Sequence, residues 1–511
     1  MGVDNMIRKK RTFAVKAILV ACVAISTVVA EEKNVEDNNE MVSAHQIRNP
    51  EIIRIAKELL ATPDTEVEGV ARPNPHPDAQ WFPKAGLGLF MHWGIHSVVG
   101  AQPSWSMIKN YRHAGSVKLH PPEKYFSLAE QFNPTNWNPE KWLGTAKEAG
   151  FTYAVLTTKH HDGYALWPSK FGNFSTRQYL EGRDLVKPYV NACRKHGLKV
   201  GFYFSPRDWH YPNFPIYDVD FDFKKRGQYK RVDPKINRKR FEEFFTFTIG
   251  QLHELLTQYR QIDVLWFDGM GWHGIDDMHT KAVYKWIRSL QPGIVINDRW
   301  SKVRNPDEAN VEQSFGDFST VECRTAKERP KGWWETCNIW DMGGGWGYDK
   351  GERIRSLEWT LEHLIRCRQW GGNYLPNVGP RSDGEMTSGF YSRCKELAEW
   401  MAKHRDSVIG TTAPMNDDVA TVPVTCRPGV WYLHIRPGDR REKEITVNAK
   451  WPIRKAYIMR TGAEVKYAME GATYTFESPS GSLREVIVIE FAANTTEQSP
   501  SGDRLKAPPE E

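Results

Sequence analysis

The sequence contains few of the features that mark a metalloprotein or a disulfide scaffold. It has seven cysteines in 511 residues, and none forms a C-x-x-C pair or another spacing typical of a zinc site. We therefore expect no bound metal. A chain of this length buries enough apolar surface without cross-links, so the cysteine pattern does not specify disulfide pairing.

The chain also lacks a large excess of charge of either sign. Its formal net charge is +6, but residues 1–30 hold five Lys or Arg against one acid, which leaves only +2 for the remainder. A nearly neutral chain has no general electrostatic attraction to nucleic acid or to an anionic membrane. We therefore expect no nucleic-acid partner.

The one long apolar run lies near the N-terminus, between Ala14 and Ala30, and Lys16 interrupts it. It is short for a membrane span of about 20 residues, so no stable span is expected. Basic residues at positions 8–11 precede it and small residues end it, which predicts an export signal over residues 1–30. We expect an exported protein, periplasmic or extracellular. Lipoprotein anchoring at Cys22 is the minor alternative, since mostly apolar residues continue after that cysteine.

Apolar strands alternate with helical segments over residues 80–409. The predicted strands are 86–93, 151–158, 199–206, 262–269, 293–298 and 373–379. Continuous apolar strands alternating with helices indicate a parallel sheet that is covered on both faces. No G-x-G-x-x-G motif follows the first strand, which argues against a dinucleotide-binding sheet. The predicted fold is therefore an α/β protein with a (β/α)8-type barrel.

The flanking regions have different compositions. Residues 31–79 form a polar segment with one amphipathic helix, and residues 410–493 are short β-rich runs separated by turns. The latter pattern predicts a C-terminal antiparallel β-sandwich. Residues 494–511 are predicted to be a disordered tail.

Polar residues follow most of the predicted strands. Since chemistry gathers at the carboxyl ends of barrel strands, we expect these side chains to meet. The set is His92, Lys159, His160, His161, Asp162, Tyr203, Asp268, Asn297, Asp298 and Arg299, with Glu322 and Glu335 further along. Paired carboxylates among hydrogen-bonding side chains and tryptophans are what glycoside hydrolysis requires.

Several blocks resemble glycoside hydrolase family 29, the α-L-fucosidases, over roughly residues 80–415. They are WFPKAGLGLFMHWGIHSV, TTKHHDGYALWPSK, VGFYFSP, LWFDG, VINDRW, GDFSTVE and GGNYLPNVGP, in the family's order. The resemblance implies a barrel followed by a β-sandwich and a retaining double displacement without a cofactor. It places the nucleophile on Asp268. It further implies sugar-binding roles for His92, Trp105, His160, His161, Tyr203, Trp266 and Arg299.

The general acid/base is less fixed within this resemblance. Glu322, in the STVE block, is the preferred candidate, and Glu335, in WWETC, is the alternative. The sequence also departs from the family pattern at Ser104, where a glutamate that binds sugar hydroxyls is common. A short neutral hydroxyl there predicts weaker binding of plain fucose and greater tolerance of an anionic substituent. The expected partner is a fucose-containing, possibly sulfated, glycan.

Several of these residues also have simpler interpretations. Asp268 could cap the loop that follows it, Arg299 could pair only with an acid such as Asp298, and His160 and His161 could bind a metal. Adjacent side chains on an extended segment point in opposite directions, which argues against that metal site. The alternative functions are an α-L-galactosidase, a glycosidase specific for sulfated fucose, and a non-hydrolytic carbohydrate-binding protein.

Overall fold

The computed structural model describes residues 47–110, 119–212, 214, 221–222, 224, 233–269, 272, 275, 277–300, 315–416, 419–436, 444–479 and 484–492. The predicted export signal (1–30, with Cys22) and the predicted tail (494–511) lie outside these residues. The amphipathic stretch near residue 50 is helix α1 (Pro50–Leu60), with Ile52, Ile55 and Leu59 buried. That helix prediction is confirmed.

An eight-stranded parallel sheet forms the centre of the molecule. Its strands are β1 (Gly88–Met91), β2 (Tyr153–Lys159), β3 (Lys199–Phe204), β4 (Val264–Phe267), β5 (Val295–Ile296), β6 (Phe318–Glu322), β7 (Trp333–Ile339) and β8 (Asn373–Val378). Their order is β5-β4-β3-β2-β1-β8-β7-β6, and every pairing is parallel. The predicted (β/α)8-type barrel is therefore confirmed.

Helices cover the outside of this sheet. They are α2 (Pro122–Phe126), α3 (Pro139–Glu148), α4 (Thr176–Tyr179), α5 (Val186–Lys195), α6 (Pro234–Gln258), α7 (Thr280–Leu290), α8 (Leu357–Arg368) and α9 (Ser388–His404). Residues 323–332, which join β6 to β7, contain no helix. In the part of the chain that the structure describes, no helix combines the length and apolarity needed to cross a membrane.

Strand β4 illustrates why the barrel strands are apolar throughout. Val264 and Trp266 belong to the cluster inside the barrel, whereas Leu265 and Phe267 pack in the layer between strands and helices. Both faces of the strand are buried, so alternation along the chain produces an uninterrupted apolar run. The strand ends at Phe267, and the next residue, Asp268, is partly exposed.

Strands β6 and β7 were not predicted because they carry polar residues. The side chains of Ser319, Thr336 and Glu335 are buried on them. The barrel closes only loosely between β5 and β6, through a parallel bridge between Asn297 and Phe318. The side chain of Asn297 also hydrogen-bonds both backbone groups of Phe267, which ties β4 to the end of β5.

The C-terminal region forms two antiparallel sheets, as predicted. The strands are β9 (Val424–Arg427), β10 (Val430–His434), β11 (Glu444–Asn448), β12 (Ile453–Ile458), β13 (Tyr467–Glu470), β14 (Thr473–Glu477) and β15 (Val486–Phe491). One sheet has the order β12-β15-β10-β9 and the other β11-β14-β13. Their inward side chains form a separate core that includes Trp431, Phe476 and Ile489. The six described cysteines are free thiols.

A buried arginine joins three segments at the amino-terminal end of the barrel. Arg368, the last residue of α8, has no exposed surface. Its guanidinium donates to the carbonyl oxygens of Gly372 at 2.8 Å and Pro83 at 3.1 Å, and to that of Thr411. Burial lowers the pKa of Arg368 to about 10, so it remains charged at neutral pH.

We expect Arg368→Met to lower the free energy of unfolding by about 3 kcal/mol or more, because it leaves several buried carbonyls without donors. The matched control is Arg366→Met on the same helix. Arg366 is 43% exposed and pairs with Glu362 on the same helix, so its loss should cost less than about 0.5 kcal/mol. Urea unfolding of the two variants checks this prediction. Equal destabilisation by both would contradict it.

Candidate active site

Side chains from the carboxyl ends of six strands meet at one end of the barrel. They are His92 after β1, His160 and His161 after β2, Tyr203 on β3, Trp266 and Asp268 on and after β4, Arg299 after β5, and Glu322 at the end of β6. Asp268 lies at the centre of this cluster. Its Oδ2 atom accepts a hydrogen bond from the Tyr203 hydroxyl at 2.9 Å, and Nε2 of His161 lies 3.4 Å from the same oxygen.

Arg299 contacts both carboxylates that were predicted to be catalytic. Its Nη1 atom lies 3.3 Å from Oδ1 of Asp268 and 2.8 Å from Oε2 of Glu322. Its Nε donates to the Thr320 hydroxyl at 2.6 Å, and the guanidinium lies 4.7 Å above the ring of Trp266. Burial by itself lowers the pKa of Arg299, but the charges of Glu322 and Asp268 outweigh this and raise the pKa further.

The two glutamates differ in access to solvent. The side chain of Glu322 is 37% exposed, whereas Glu335 is fully buried inside the barrel. Glu335 accepts hydrogen bonds from the Trp266 indole at 3.0 Å and from the Tyr153 hydroxyl. Burial raises the pKa of Glu335 to about 7, and the two hydrogen bonds only partly offset that effect. Glu335 therefore lies below the mouth of the barrel, behind Trp266.

The expectation that His160 and His161 point in opposite directions is wrong. Their ring centroids lie 4.3 Å apart, because the chain leaves the extended conformation at the end of β2. His160, His161 and Asp268 each offer a ligand atom, and these atoms lie within 4.8 Å of one another. The neighbouring cation of Arg299 opposes metal binding at this cluster, although its ligand types would suit a metal.

Each histidine is held through its Nδ1 atom. Nδ1 of His160 lies 2.6 Å from the Ser104 hydroxyl, and Nδ1 of His161 lies 2.6 Å from the Ser205 hydroxyl. Nδ1 of His92 lies 2.6 Å from Oδ1 of Asn377, so the imidazole donates there and its Nε2 is free to accept. Burial lowers the pKa of His92 to about 4, so the ring is neutral at pH 7.

Ser104 does not reach the surface of the site. It has no exposed area, and its hydroxyl contacts both His160 and Asp162. Its backbone has φ of 55°, a left-handed value that is costly for a residue with a side chain, and its N–H donates to the Tyr125 hydroxyl. The expectation that Ser104 takes the place of a sugar-binding glutamate is therefore wrong, because the residue lies behind His160.

Aromatic side chains surround the cluster. The ring of Trp105 packs edge-on against His161 and against Trp209, at 5.5 and 5.1 Å. Trp346 lies 5.0 Å from the ring of His92. The sequence motifs did not indicate Trp209 or Trp346. For Trp346 the usable signal was its position in the glycine-rich segment 342–351, where a large aromatic side chain has few local packing partners.

Among the polar strand-end residues, Lys159 and Asn297 lie in the barrel wall outside the cluster. Lys159 is fully buried on the helix side of β2, and its ammonium group donates to Gln251 at 2.7 Å and to Asp208 at 3.2 Å. Asn297 joins β4 to β5, as described above. Both stabilise the barrel wall next to the site.

Comparison with known proteins agrees with this geometry. A family model described as "Alpha-L-fucosidase" matches residues 64–406. Rat tissue α-L-fucosidase is 29% identical over 350 residues, which cover 65% of this chain and 70% of that protein. Rat plasma α-L-fucosidase is 28% identical over 448 residues, or 82% of this chain and 88% of that protein.

A solved structure shows the same architecture. Alpha-L-fucosidase isoenzyme 1 from Paenibacillus thiaminolyticus superimposes with a TM-score of 0.67 and is 29% identical, covering 82% of this chain and 99% of that one. The family match spans more than half of the chain and includes the whole strand-end cluster. The chain therefore belongs to the α-L-fucosidase family and is a glycoside hydrolase of that family.

Proposed function

We propose that this enzyme hydrolyses terminal α-L-fucosyl units with retention of anomeric configuration, with Asp268 as nucleophile and Glu322 as general acid/base. The observation that carries the proposal is the shared contact of both carboxylates with Nη1 of Arg299. Because both oxygens contact one nitrogen, they lie no more than about 6 Å apart. Carboxyl groups about 5–5.5 Å apart are typical of retaining glycosidases, and about 6.5–9.5 Å of inverting ones.

The surroundings of Asp268 suit a nucleophile. Tyr203 and Arg299 bond to different oxygens of the carboxylate, so its orientation is fixed before a substrate arrives. Burial and the charge of Asp268 raise the pKa of Tyr203 well above its usual value, so the phenol stays protonated and acts as a donor. Only 16% of the Asp268 side chain is exposed, which directs attack toward the barrel mouth.

Glu322 suits the acid/base role because it combines proximity to Asp268 with access to solvent. An acid/base must reach the departing oxygen and later activate a water molecule. Glu335 has no exposed surface, and two donors from the barrel wall occupy its oxygens. It supports Trp266 from below.

The proposed glycone is fucose because the site combines hydrogen-bonding rings with an aromatic floor. Phe90 lies under His92, Trp266 and Trp346 at centroid distances of 4.6, 5.1 and 6.2 Å. An aromatic surface favours the apolar methyl group of a 6-deoxy sugar over a hydroxymethyl group. Because buried rings close the bottom of the site, a glycan chain cannot continue past the bound sugar. The site therefore suits a terminal fucosyl unit rather than an internal one. The expectation of a sulfated glycone depended on Ser104, which is buried behind His160, so plain fucose is the glycone that we propose.

We also propose that the protein is exported. Support comes from the basic residues at positions 8–11, the apolar run that follows them and the small residues near Ala30. Export would bring the enzyme into contact with extracellular or periplasmic fucosylated glycans.

Asp268→Ala should abolish nearly all turnover of an aryl α-L-fucoside, because the covalent step is lost. Azide should partly rescue this variant and should yield the β-fucosyl azide, since azide enters from the side that Asp268 vacates. Asp263→Asn is the matched control, because Asp263 lies at the other end of the same strand and bonds Lys199 and the backbone of Val200. We expect it to remain active.

Turnover by folded Asp268→Ala at the wild-type rate would contradict the nucleophile assignment. The same assays with aryl α-L-galactosides and sulfated aryl fucosides test the glycone. A preference for either over the plain fucoside would replace that part of the proposal.

Glu322→Ala should slow hydrolysis of fucosides with poor leaving groups by about 10²–10⁴-fold and should affect activated aryl fucosides far less. With azide, this variant should form the α-fucosyl azide, because azide attacks the fucosyl-enzyme in place of water. Glu335→Gln should show neither effect. If only the Glu335 variant shows this pattern, the acid/base assignment is wrong.

Glu335 should make stability depend on pH. Its pKa is about 7 in the folded protein against a usual 4.5, so the folded state holds a proton that the unfolded state has released. The free energy of unfolding should therefore fall by roughly 3 kcal/mol as pH rises from 4.5 to above 7. Glu335→Gln should remove this contribution, whereas Glu328→Gln at an exposed position should not. Thermal unfolding of the three proteins across this pH range is the measurement.

A further inference from the structure

A buried hydrogen-bond network lies behind His160 and consists of Tyr125, Ser104 and Asp162. Tyr125 and Ser104 have no exposed surface, and Asp162 is 3% exposed. The three side chains come from α2, from the loop after β1 and from the loop after β2. Their hydroxyl and carboxyl groups bond to one another, so each hydrogen in the network can be assigned.

The carboxylate of Asp162 fixes the direction of the hydroxyl groups. A carboxylate only accepts hydrogen bonds, and Oδ2 of Asp162 receives them from Tyr125 at 2.9 Å and Ser104 at 3.0 Å. The Ser104 hydroxyl has one hydrogen, which this bond uses. Its oxygen then accepts from the backbone N–H of Asp162 at 2.8 Å, and one lone pair remains for His160 at 2.6 Å.

The remaining lone pair determines the tautomer of His160. Because Ser104 can only accept there, the imidazole donates from Nδ1, and its Nε2 carries a lone pair. No described group hydrogen-bonds that Nε2 atom. The ring stacks parallel to Tyr203 at 5.4 Å, and one of its nitrogens lies within 4.8 Å of an Asp268 oxygen. Nε2 is therefore available to a substrate held over Asp268.

We propose that Ser104, Asp162 and Tyr125 are positioning residues that set the hydrogen-bond polarity of His160, so that His160 accepts a hydrogen bond from a sugar hydroxyl. This inference rests on the proposed function, because it assumes that a sugar occupies the site. If Nε2 of His160 only accepts, the substrate hydroxyl that contacts it must donate the hydrogen bond. A group that can only accept, such as fluorine, cannot replace it.

The protonation states of the two titratable members agree with this assignment. Burial, with the nearby rings of His161 and His92, lowers the pKa of His160 well below its usual value, so the ring is neutral. Burial raises the pKa of Asp162 to about 6, although the hydrogen-bond donors around the carboxylate lower it. The group therefore remains ionised at pH 7.5. The experiments are therefore done at that pH.

Asp162→Asn should reverse the polarity of the network. Oδ1 of Asp162 accepts from the backbone N–H of Tyr164 at 3.0 Å, so the amide oxygen of asparagine must take that position. The amide NH₂ then replaces Oδ2 and donates to Ser104. The Ser104 hydrogen is released toward His160, which places the imidazole proton on Nε2.

The first measurement follows the tautomer directly and needs no substrate. Long-range proton–nitrogen NMR of protein labelled with ¹⁵N-histidine distinguishes the two neutral tautomers, and loss of one signal set in His160→Gln assigns His160. We expect the proton on Nδ1 in the wild-type protein and on Nε2 in Asp162→Asn. Ser104→Ala should give a mixture of tautomers and serves as the second variant if Asp162→Asn does not fold.

Ser205→Ala is the matched control. Ser205 contacts His161 at the same 2.6 Å distance, but its hydroxyl donates to the carbonyl oxygen of Arg207 rather than to a carboxylate. We expect this variant to leave the His160 signals unchanged. A wild-type His160 protonated on Nε2, or one that does not respond to Asp162→Asn, would overturn the network assignment.

The second measurement tests the substrate contact. Aryl α-L-fucosides with fluorine in place of the 3- or 4-hydroxyl are compared with the parent by kcat/KM. In the wild-type enzyme, fluorine at one of these positions should cost about tenfold or more. In Asp162→Asn the same fluorine penalty should be smaller by at least about fivefold. The inductive effect of fluorine is the same in both enzymes, so it cancels when the wild-type penalty is divided by that of the variant.

The two measurements separate the two proposals. An unchanged fluorine penalty together with a reversed tautomer would overturn the contact between His160 and the sugar. No hydrolysis of any fucoside by the wild-type enzyme would overturn the proposed function, while the NMR result on the network would stand by itself.

Discussion

The arrangement of the site depends on the ion pairs of Arg299 with Asp268 and Glu322. Two carboxylates at close range in a partly buried cleft repel each other, and removing either from water is costly. One guanidinium contacts both, and its own position is set by Thr320 and by the face of Trp266. The indole of Trp266 in turn donates a hydrogen bond to Glu335 inside the barrel. The barrel interior and the site therefore form one continuous packed unit.

The strand-end cluster could be predicted because it follows from chain geometry. Strands that are apolar on both faces must be parallel and covered, and their carboxyl ends then meet, so Asp268 and Arg299 were expected to be neighbours. Strands β6 and β7 could not be predicted, because they are not apolar throughout. Their buried polar groups, such as Glu335, are satisfied by partners distant in sequence, which no local pattern reveals.

The role of Ser104 could not be predicted for a related reason. A motif gives the type of residue at a position but not the direction of its side chain. Ser104 has an unusual backbone conformation that turns its hydroxyl toward Asp162 and His160. The position of Trp346 beside His92 depends in the same way on a long loop that returns to the barrel mouth. There the backbone carbonyl oxygen of Trp346 accepts a hydrogen bond from the side chain of Asn377.

The short connection between β6 and β7 has a consequence for how enzymes of this shape diversify. Residues 323–332 directly follow Glu322, contain no helix and include the exposed residues Cys323, Lys327 and Glu328. An insertion there would lengthen the wall beside Glu322, the proposed acid/base, without unpairing a strand. Tolerance for different aglycones could therefore be engineered, or acquired in evolution, independently of recognition of the sugar itself.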